Sequence, residues 1–123
     1  MLHQNYFMGT NLEEKFNAYS SLELIIIAEP NSDYTHHAKN IAIDIIQLRQ
    51  KNNEIDVIKE AENYWINYIE SNIKSILLNK KIPKSHFLDD LQMKDLLRNA
   101  FIKWKEKQEL LGIDMTKYWA VPF

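Results

Sequence analysis

The fold of this chain is decided by the stretch from Tyr19 to Arg49, which reads YSSLELIIIAEPNSDYTHHAKNIAIDIIQLR. Ser20 and Glu23 have the spacing of a capping box, in which a serine and a glutamate satisfy free backbone N–H groups at a helix start. The apolar run behind them is short enough to be a buried strand, but a single strand would have no obvious sheet partner in this chain. We therefore predict a helix over 20–29.

A second helix is predicted immediately after this one. Pro30 stops the first helix because it cannot continue the backbone hydrogen bonding. Thr35 is placed to cap the next helix, in which isoleucine and alanine recur at helical spacing. The stretch therefore predicts two helices, 20–29 and 35–51, around one turn.

Three further helices are predicted from capping residues and apolar spacing, over residues 11–17, 53–79 and 86–111. Asn53 is expected to cap the longest of them, and Gly112 to stop the last. The two long helices can pack as an antiparallel hairpin because only a short connection separates them. The tail, 112–123, has no clear period and is expected to lie back across the bundle with Trp119 and Phe123 as apolar anchors.

Composition favours an all-α fold with a single core. The chain has 123 residues, enough for one domain, and only 2 glycines and 3 prolines, which disfavours a sheet of many strands. The last helix is expected to bury an apolar stripe that includes Leu91 and Leu111. We predict a single domain over 1–123, a bundle-like arrangement of four or five helices built around the long antiparallel hairpin.

Cysteine content and hydropathy limit the location of the protein and its chemistry. The absence of cysteine removes disulfides and thiolate sites, which fits a reducing compartment. No apolar run approaches the ~20 residues that span a bilayer, and the first residues do not have the pattern of a secretion signal. We therefore expect a cytoplasmic protein without membrane insertion.

Charge is distributed unevenly along the chain. The net charge is −2, but residues 1–73 contain 5 basic and 11 acidic side chains, whereas residues 74–107 contain 9 basic and 4 acidic ones. Such asymmetry is typical either of an anion-binding surface or of two parts that attract each other within one fold, and we favour the second interpretation. Lys80, Lys81 and Lys84 are the candidate partner-binding residues of the basic region.

The histidines and carboxylates do not predict a catalytic or metal site. His36 and His37 are adjacent, so on a helix they point about 100 degrees apart and cannot readily reach one ion. Asp89 and Asp90 have nothing in the sequence that gathers them into an apolar pocket, as acid and base catalysis requires. We therefore expect no catalytic residue, no metal and no cofactor.

Aromatic residues are the best candidates for a protein contact. Tyr64 and Tyr68 lie four positions apart beside Trp65, and Tyr118 and Trp119 are adjacent in the tail. Interfaces are enriched in such side chains, although core packing is the simpler interpretation for Trp65 and Tyr68, which lie on the apolar stripe. Tyr64 lies off that stripe and is placed to face a partner.

The first hairpin contains a pattern of six residues, Pro30, Asp33, Tyr34, Ala38, Ala42 and Arg49. With these residues the stretch 19–49 resembles a short helical hairpin found near the start of many uncharacterised bacterial proteins, some of them membrane-anchored. It differs from the usual pattern in having Glu29 before the proline. The resemblance implies a packing or docking module without a known activity, in which the alanines let the helices approach closely and Tyr34 closes the open end.

These observations favour a non-enzymatic protein-protein interaction module, a small bacterial adaptor or regulator. One alternative is a toxin-neutralising immunity protein, whose acidic first half would cover a basic toxin surface. Another is a nucleic-acid-associated protein that uses the basic region 74–107, although this region has one arginine and no RNA-binding motif. Pairing of the long hairpin with a second copy, as a homodimer, is also left open.

Overall fold

The computed structural model describes residues 11–118 and Phe123. Every regular element in these residues is helical, which confirms the predicted all-α class. The elements are α1 (11–17), α2 (Ser21–Ala28), α3 (His36–Lys51), α4 (Val57–Asn79) and α5 (Asp90–Leu110), followed by a 3-10 turn at Thr116–Tyr118. The chain divides into two compact units, Met1–Ala61 and Glu62–Phe123, and α4 contributes residues to both. The single domain stays a prediction.

In the first unit, α2 and α3 are in contact and each begins at the cap that the sequence predicts. The Ser20 hydroxyl accepts a hydrogen bond from the Glu23 backbone N–H at 3.2 Å and donates one to the Glu23 carboxylate at 3.0 Å. The Thr35 hydroxyl accepts a hydrogen bond from the Ala38 backbone N–H at 3.1 Å. These bonds satisfy N–H groups that have no partner within the helix, and so they fix where each helix starts.

Small side chains are buried in both helices of this hairpin. Ala28 of α2 and Ala38 and Ala42 of α3 are buried, together with the larger apolar residues Leu24, Ile25, Ile27, Ile41, Ile45 and Ile46. An alanine side chain lets two helix backbones approach closely, while the isoleucines and leucine fill the space on either side. Close packing at the alanines leaves little room for a larger residue.

The guanidinium of Arg49 ties together the ends of the three helices in this unit. It donates hydrogen bonds to the Ser21 hydroxyl at 3.0 Å, to the Asn17 carbonyl at 3.0 Å and to the Tyr19 carbonyl at 2.9 Å. Helix ends leave carbonyl groups without a partner inside the helix, and here one side chain near the end of α3 satisfies carbonyls at and just after the end of α1. The planar fork of an arginine suits three acceptors spread in this way, whereas a lysine is a point charge.

Aromatic rings attach the turn between α2 and α3 to α1. The buried ring of Phe16 stacks on Tyr19, with the ring centroids 5.3 Å apart, and meets the ring of Tyr34 edge-on at 6.5 Å. Tyr34 follows the turn, so this contact joins the turn end of the hairpin to α1. Edge-to-face and offset contacts of this kind stabilise beyond the apolar area that they bury.

In the second unit, α4 and α5 run antiparallel, as predicted. The Glu70 carboxylate of α4 lies 3.9 Å from the Lys103 ammonium of α5. Further along α4, Leu77 lines the same groove as Lys94, which is earlier on α5. Later residues of α4 therefore lie beside earlier residues of α5.

The long helix α4 begins at Val57, four residues later than the predicted span 53–79. Asn53 has a left-handed backbone with φ of 60°, so it closes α3 and does not cap α4. The Asp56 carboxylate accepts a hydrogen bond from the Lys59 backbone N–H at 3.2 Å and takes the capping role instead. Both Asn53 and Asp56 could cap α4. Because Asn53 takes the left-handed backbone that closes α3, Asp56 caps α4.

The last long helix, α5, also begins later than the predicted span 86–111. Asp89 forms a complete capping box with Gln92, so the helix starts at Asp90. Ser85 caps no α-helix; its hydroxyl accepts hydrogen bonds from the backbone N–H groups two and three residues further on, at 3.0 and 3.2 Å. These bonds hold a separate turn before the helix.

The buried stripe of α5 differs from the predicted one at its ends. Leu91 and Leu111 are exposed, at 70% and 74% of their surface, and Met93 is buried. Residues two apart on a helix point about 200 degrees apart, so a helix that buries Met93 turns Leu91 toward solvent. Leu111 lies past the last helical residue, so helical spacing does not apply to it.

A left-handed residue follows each of α3, α4 and α5, namely Asn53, Lys80 and Gly112. After α3 and α5, the residue that follows the left-handed one, Glu54 or Ile113, donates a backbone hydrogen bond to the carbonyl five positions earlier, at 2.9 and 3.0 Å respectively. After α4, Lys80 itself donates to the Ile76 carbonyl at 2.7 Å. These are the two common ways in which a left-handed residue satisfies the last carbonyls of a helix.

We expect Arg49→Ala to lower the free energy of unfolding by about 2 kcal/mol, because three acceptors lose a charged donor. Urea denaturation followed by circular dichroism measures this change. Lys51→Ala, an exposed basic residue on the same helix, is the control and should change stability by less than about 0.5 kcal/mol. Equal losses in the two variants would contradict the role given to the guanidinium.

Ala42→Leu should destabilise the protein by about 2 kcal/mol, because the added atoms have no space among buried side chains. Gln47→Leu introduces the same residue at an exposed position of α3 and should be within about 0.5 kcal/mol of the parent. Thermal unfolding of both variants gives the comparison. A stable Ala42→Leu variant would show that the side chains around Ala42 are not closely packed.

Gly112→Ala should cost about 1 kcal/mol, because a left-handed backbone is unfavourable for alanine. An added Cβ at Gly112 would meet no atom within 4 Å, so this cost is conformational and not steric. Gly112→Asn should cost less, since asparagine tolerates this backbone. If asparagine and alanine cost the same in chemical denaturation, the left-handed turn is not the cause.

Candidate functional site

A groove of about 490 Å³ in the second unit is the first candidate site. Three lysines from three segments line it: Lys80 from the end of α4, Lys94 from α5 and Lys117 from the 3-10 turn. The remaining lining is apolar or aromatic, from Leu77, Ile82, Tyr118 and Phe123. We call this concavity the lysine groove.

The turn that presents Lys117 and Tyr118 to the groove is held by local hydrogen bonds. The Asp114 carboxylate accepts a hydrogen bond from the Thr116 backbone N–H at 3.0 Å. This bond and one from the Thr116 side chain lower the pKa of Asp114. The ionised carboxylate is therefore favoured by the turn, and this contribution is lost when the pH falls through the lowered pKa.

Ring contacts fix the position of Tyr118 above the buried part of α5. Its ring meets Phe101 at 6.3 Å and Trp104 at 5.4 Å between centroids, in both cases edge-on. Phe101 is buried, so it provides a firm support. The Lys117 ammonium lies 5.0 Å from the Tyr118 ring centroid, within the range of a cation–π contact.

The positive charge of the predicted basic region is partly neutralised by ion pairs. Arg98 pairs with Asp95 at 3.0 Å, Lys103 with Glu70 at 3.9 Å and Lys105 with Glu109 at 4.0 Å. By contrast, among the described residues the three lysines of the groove form no ion pair with a carboxylate. Two of these groove lysines, Lys80 and Lys94, belong to the basic region 74–107, and Lys117 follows it.

The second candidate site is an aromatic cluster on α4. Trp65 is buried, and its ring centroid lies 5.0 Å from that of Tyr64 and 5.1 Å from that of Tyr68. The two tyrosine rings are 6.4 Å apart. Tyr68 is the more open of the two, with 39% of its surface exposed, and Tyr64 is half-buried. The helical spacing thus produces one packed cluster with an accessible ring.

Exposed uncharged side chains lie beside the two tyrosines on α4, and Glu60 lies one turn before Tyr64. Asn63, Asn67 and Ser71 are all exposed and follow one another at intervals of four residues. Residues at this spacing lie on one face of a helix, beside the face of Tyr64 and Tyr68. We call these five residues, together with Trp65, the uncharged aromatic face.

The helix kinks directly after this face. Asn72 departs from helical geometry, with φ of −119° and ψ of 15°. Its side-chain amide donates a hydrogen bond to the Tyr68 carbonyl at 2.9 Å. A side chain that bonds to a backbone carbonyl in this way is a recognised cause of helix bending.

The predicted site residues fall into separate groups. Lys80 and Tyr118 meet in the lysine groove, and Tyr64 and Tyr68 lie together on the uncharged aromatic face. Exposed lysines of the α4–α5 connection that do not line the groove form a third group, Lys81 and Lys84. Trp119 lies outside the described residues.

Four residues of the groove are not among the partner-binding candidates that the sequence suggests: Leu77, Ile82, Lys94, which lies in the basic region 74–107, and Lys117. Phe123 is predicted only as an apolar anchor. The first four come from α4, its connection to α5, α5 itself and the 3-10 turn. No spacing within one element links these positions, so no sequence signal identifies them as a set. The pairing of α4 with α5 and the returning tail bring them together.

The described residues contain no candidate metal-binding site. No group of three or more histidine, cysteine, aspartate or glutamate side chains there is arranged to hold an ion. His36 and His37 are both exposed in the first turn of α3. Within residues 11–118, none of the helices combines the length and the apolar character needed to cross a membrane.

The chain matches no protein-family model, no curated protein and no solved structure.

Proposed function

We propose that this protein is a non-enzymatic interaction module that binds a protein partner through the uncharged aromatic face of α4. The observation that supports this most directly is the buried Trp65 ring in contact with both tyrosine rings, one of which is substantially exposed. Tyrosine and tryptophan are the residues that most often dominate the binding energy of protein interfaces.

The aromatic cluster preorganises the Tyr68 ring for binding. A ring already packed against Trp65 and Tyr64 loses little conformational freedom when a partner covers it. Its hydroxyl group can still donate or accept a hydrogen bond at the rim of an interface. Both properties favour a specific contact with a partner over nonspecific hydrophobic association.

The neutral residues beside the tyrosines favour a protein partner over a nucleic acid, and the charge one turn before Tyr64, that of Glu60, is negative. Charged residues make up 26% of the chain, yet Asn63, Asn67 and Ser71 on this face are neutral. The centres of protein interfaces are depleted in charged residues, whereas nucleic-acid surfaces need lysine or arginine to contact phosphates. A predominantly polar and aromatic partner surface fits this face best.

A non-enzymatic role fits the composition of both candidate sites. Among their described residues, neither the lysine groove nor the uncharged aromatic face includes a side-chain carboxylate or an imidazole. These are the groups that most often act as general bases in catalysis. The small adaptor or regulator expected from the sequence remains the proposal that these surfaces support best.

Photo-crosslinking in the native host tests this proposal. A benzophenone amino acid in place of Tyr68 should form an adduct with one specific protein, because the ring lies in the interface. The same substitution at Ile102, which has a closely similar exposure in the same unit, is the matched control and should give none. Adducts at both positions, or at neither, would contradict the proposal, and an adduct of two copies alone would favour the homodimer.

Once the partner is identified, Tyr68→Ala should weaken its binding by about tenfold, which corresponds to about 1.4 kcal/mol. Tyr68→Phe should retain most of the affinity, because it keeps the ring contacts. Calorimetric titration of the two variants against the parent measures both effects, with Ile102→Ala as the control. An unchanged affinity for Tyr68→Ala would place the interface elsewhere.

A further inference from the structure

We propose that the lysine groove binds a small amphipathic anion, with a carboxylate or similar head and an aliphatic or aromatic body. This inference goes beyond the proposed function, because the groove and the uncharged aromatic face share no residue. Its basis is the juxtaposition of three lysines with an apolar lining in one concavity. Neither feature by itself identifies a ligand, but together they match the two parts of an amphipathic molecule.

The charge of the groove sets the sign of the ligand. Lys80, Lys94 and Lys117 approach it from three segments, and no acidic side chain lines it. Each ammonium has three donors and, within the described residues, none of them is paired with a carboxylate. An anionic head placed among them would gain charge-assisted hydrogen bonds without first displacing an internal partner.

The apolar lining sets the body of the ligand. Leu77, Ile82, Tyr118 and Phe123 provide aliphatic and aromatic surface, and Ile82 is 36% exposed. Covering such surface removes it from water, which favours binding of an apolar chain or ring. A purely inorganic anion would leave this part of the groove unused.

The size of the groove favours a small molecule over a macromolecule. Its volume of about 490 Å³ lies within the range of pockets that take drug-sized ligands. The three lysines surround one concavity, whereas nucleic-acid binding uses a patch or stripe of charge along an extended surface. The ring of Tyr118, fixed by Phe101 and Trp104, keeps one wall of the groove in place.

Titration calorimetry with two amphiphiles of equal chain length tests the sign of the charge. Dodecanoate should bind saturably with one site per chain, at concentrations below micelle formation. Dodecyltrimethylammonium, with the same chain and a positive head, should bind at least about tenfold more weakly. Equal binding of the two, or tighter binding of the cation, would overturn the proposal.

Substitution of the lysines tests the location. Lys94→Gln and Lys117→Gln should each weaken dodecanoate binding several-fold, and the double variant more strongly. Lys74→Gln, at an exposed lysine of α4 that does not line the groove, should bind dodecanoate as the parent does. Thermal unfolding confirms that each variant is folded. A loss in Lys74→Gln equal to that in the other two would overturn the assignment.

Two further probes separate the proposed ligand from larger anions. Vesicles of phosphatidylglycerol and a short DNA duplex are each added to the full chain under the same conditions. Saturable binding of either one without saturable binding of dodecanoate would assign the lysines to a membrane or nucleic-acid surface and overturn the proposal. Crosslinking at position 68 should be unchanged in the Lys94→Gln and Lys117→Gln variants, so this test fails or succeeds independently of the proposed partner contact.

Discussion

A left-handed backbone at single residues ends three of the helices, and the path of the chain depends on it. The residues are Asn53, Lys80 and Gly112. At each of them, the backbone N–H of that residue or of the next one donates a hydrogen bond to a carbonyl in the last turn of the helix. The chain contains only 2 glycines, so an asparagine and a lysine take up a conformation that glycine adopts most easily. At Lys80 the consequence reaches the candidate site, because the residue that closes α4 is also one that lines the lysine groove.

In the first unit, a side chain satisfies the carbonyls that a helix end leaves without a partner. Arg49 reaches back from α3 to carbonyls near the end of α1, and Ala38 and Ala42 are buried on the same helix. Each of these three residues has a structural role, in packing or in hydrogen bonding.

The two candidate sites of the second unit depend on different physical effects. The uncharged aromatic face relies on a preorganised ring, Tyr68, over the buried Trp65, and so suits a large apolar and polar contact with a protein. The lysine groove combines unpaired charge with apolar surface and so suits a small molecule that has both. Ion pairs elsewhere on α5, such as that between Arg98 and Asp95, reduce the free charge of the remaining basic region.

The all-α class, the antiparallel pairing of the long helices and the caps at Ser20 and Thr35 can be predicted from the sequence, because they follow from local hydrogen bonding and helical spacing. The packing of neighbouring elements decided which polar residue begins α4, because the backbone at Asn53 closes α3 and Asp56 takes the cap instead. It also decided that Met93 and not Leu91 is buried, because the rotation of a helix depends on what it packs against. The lysine groove could not be predicted for the same reason: its residues are distant in sequence and meet only when the helices pair and the tail returns.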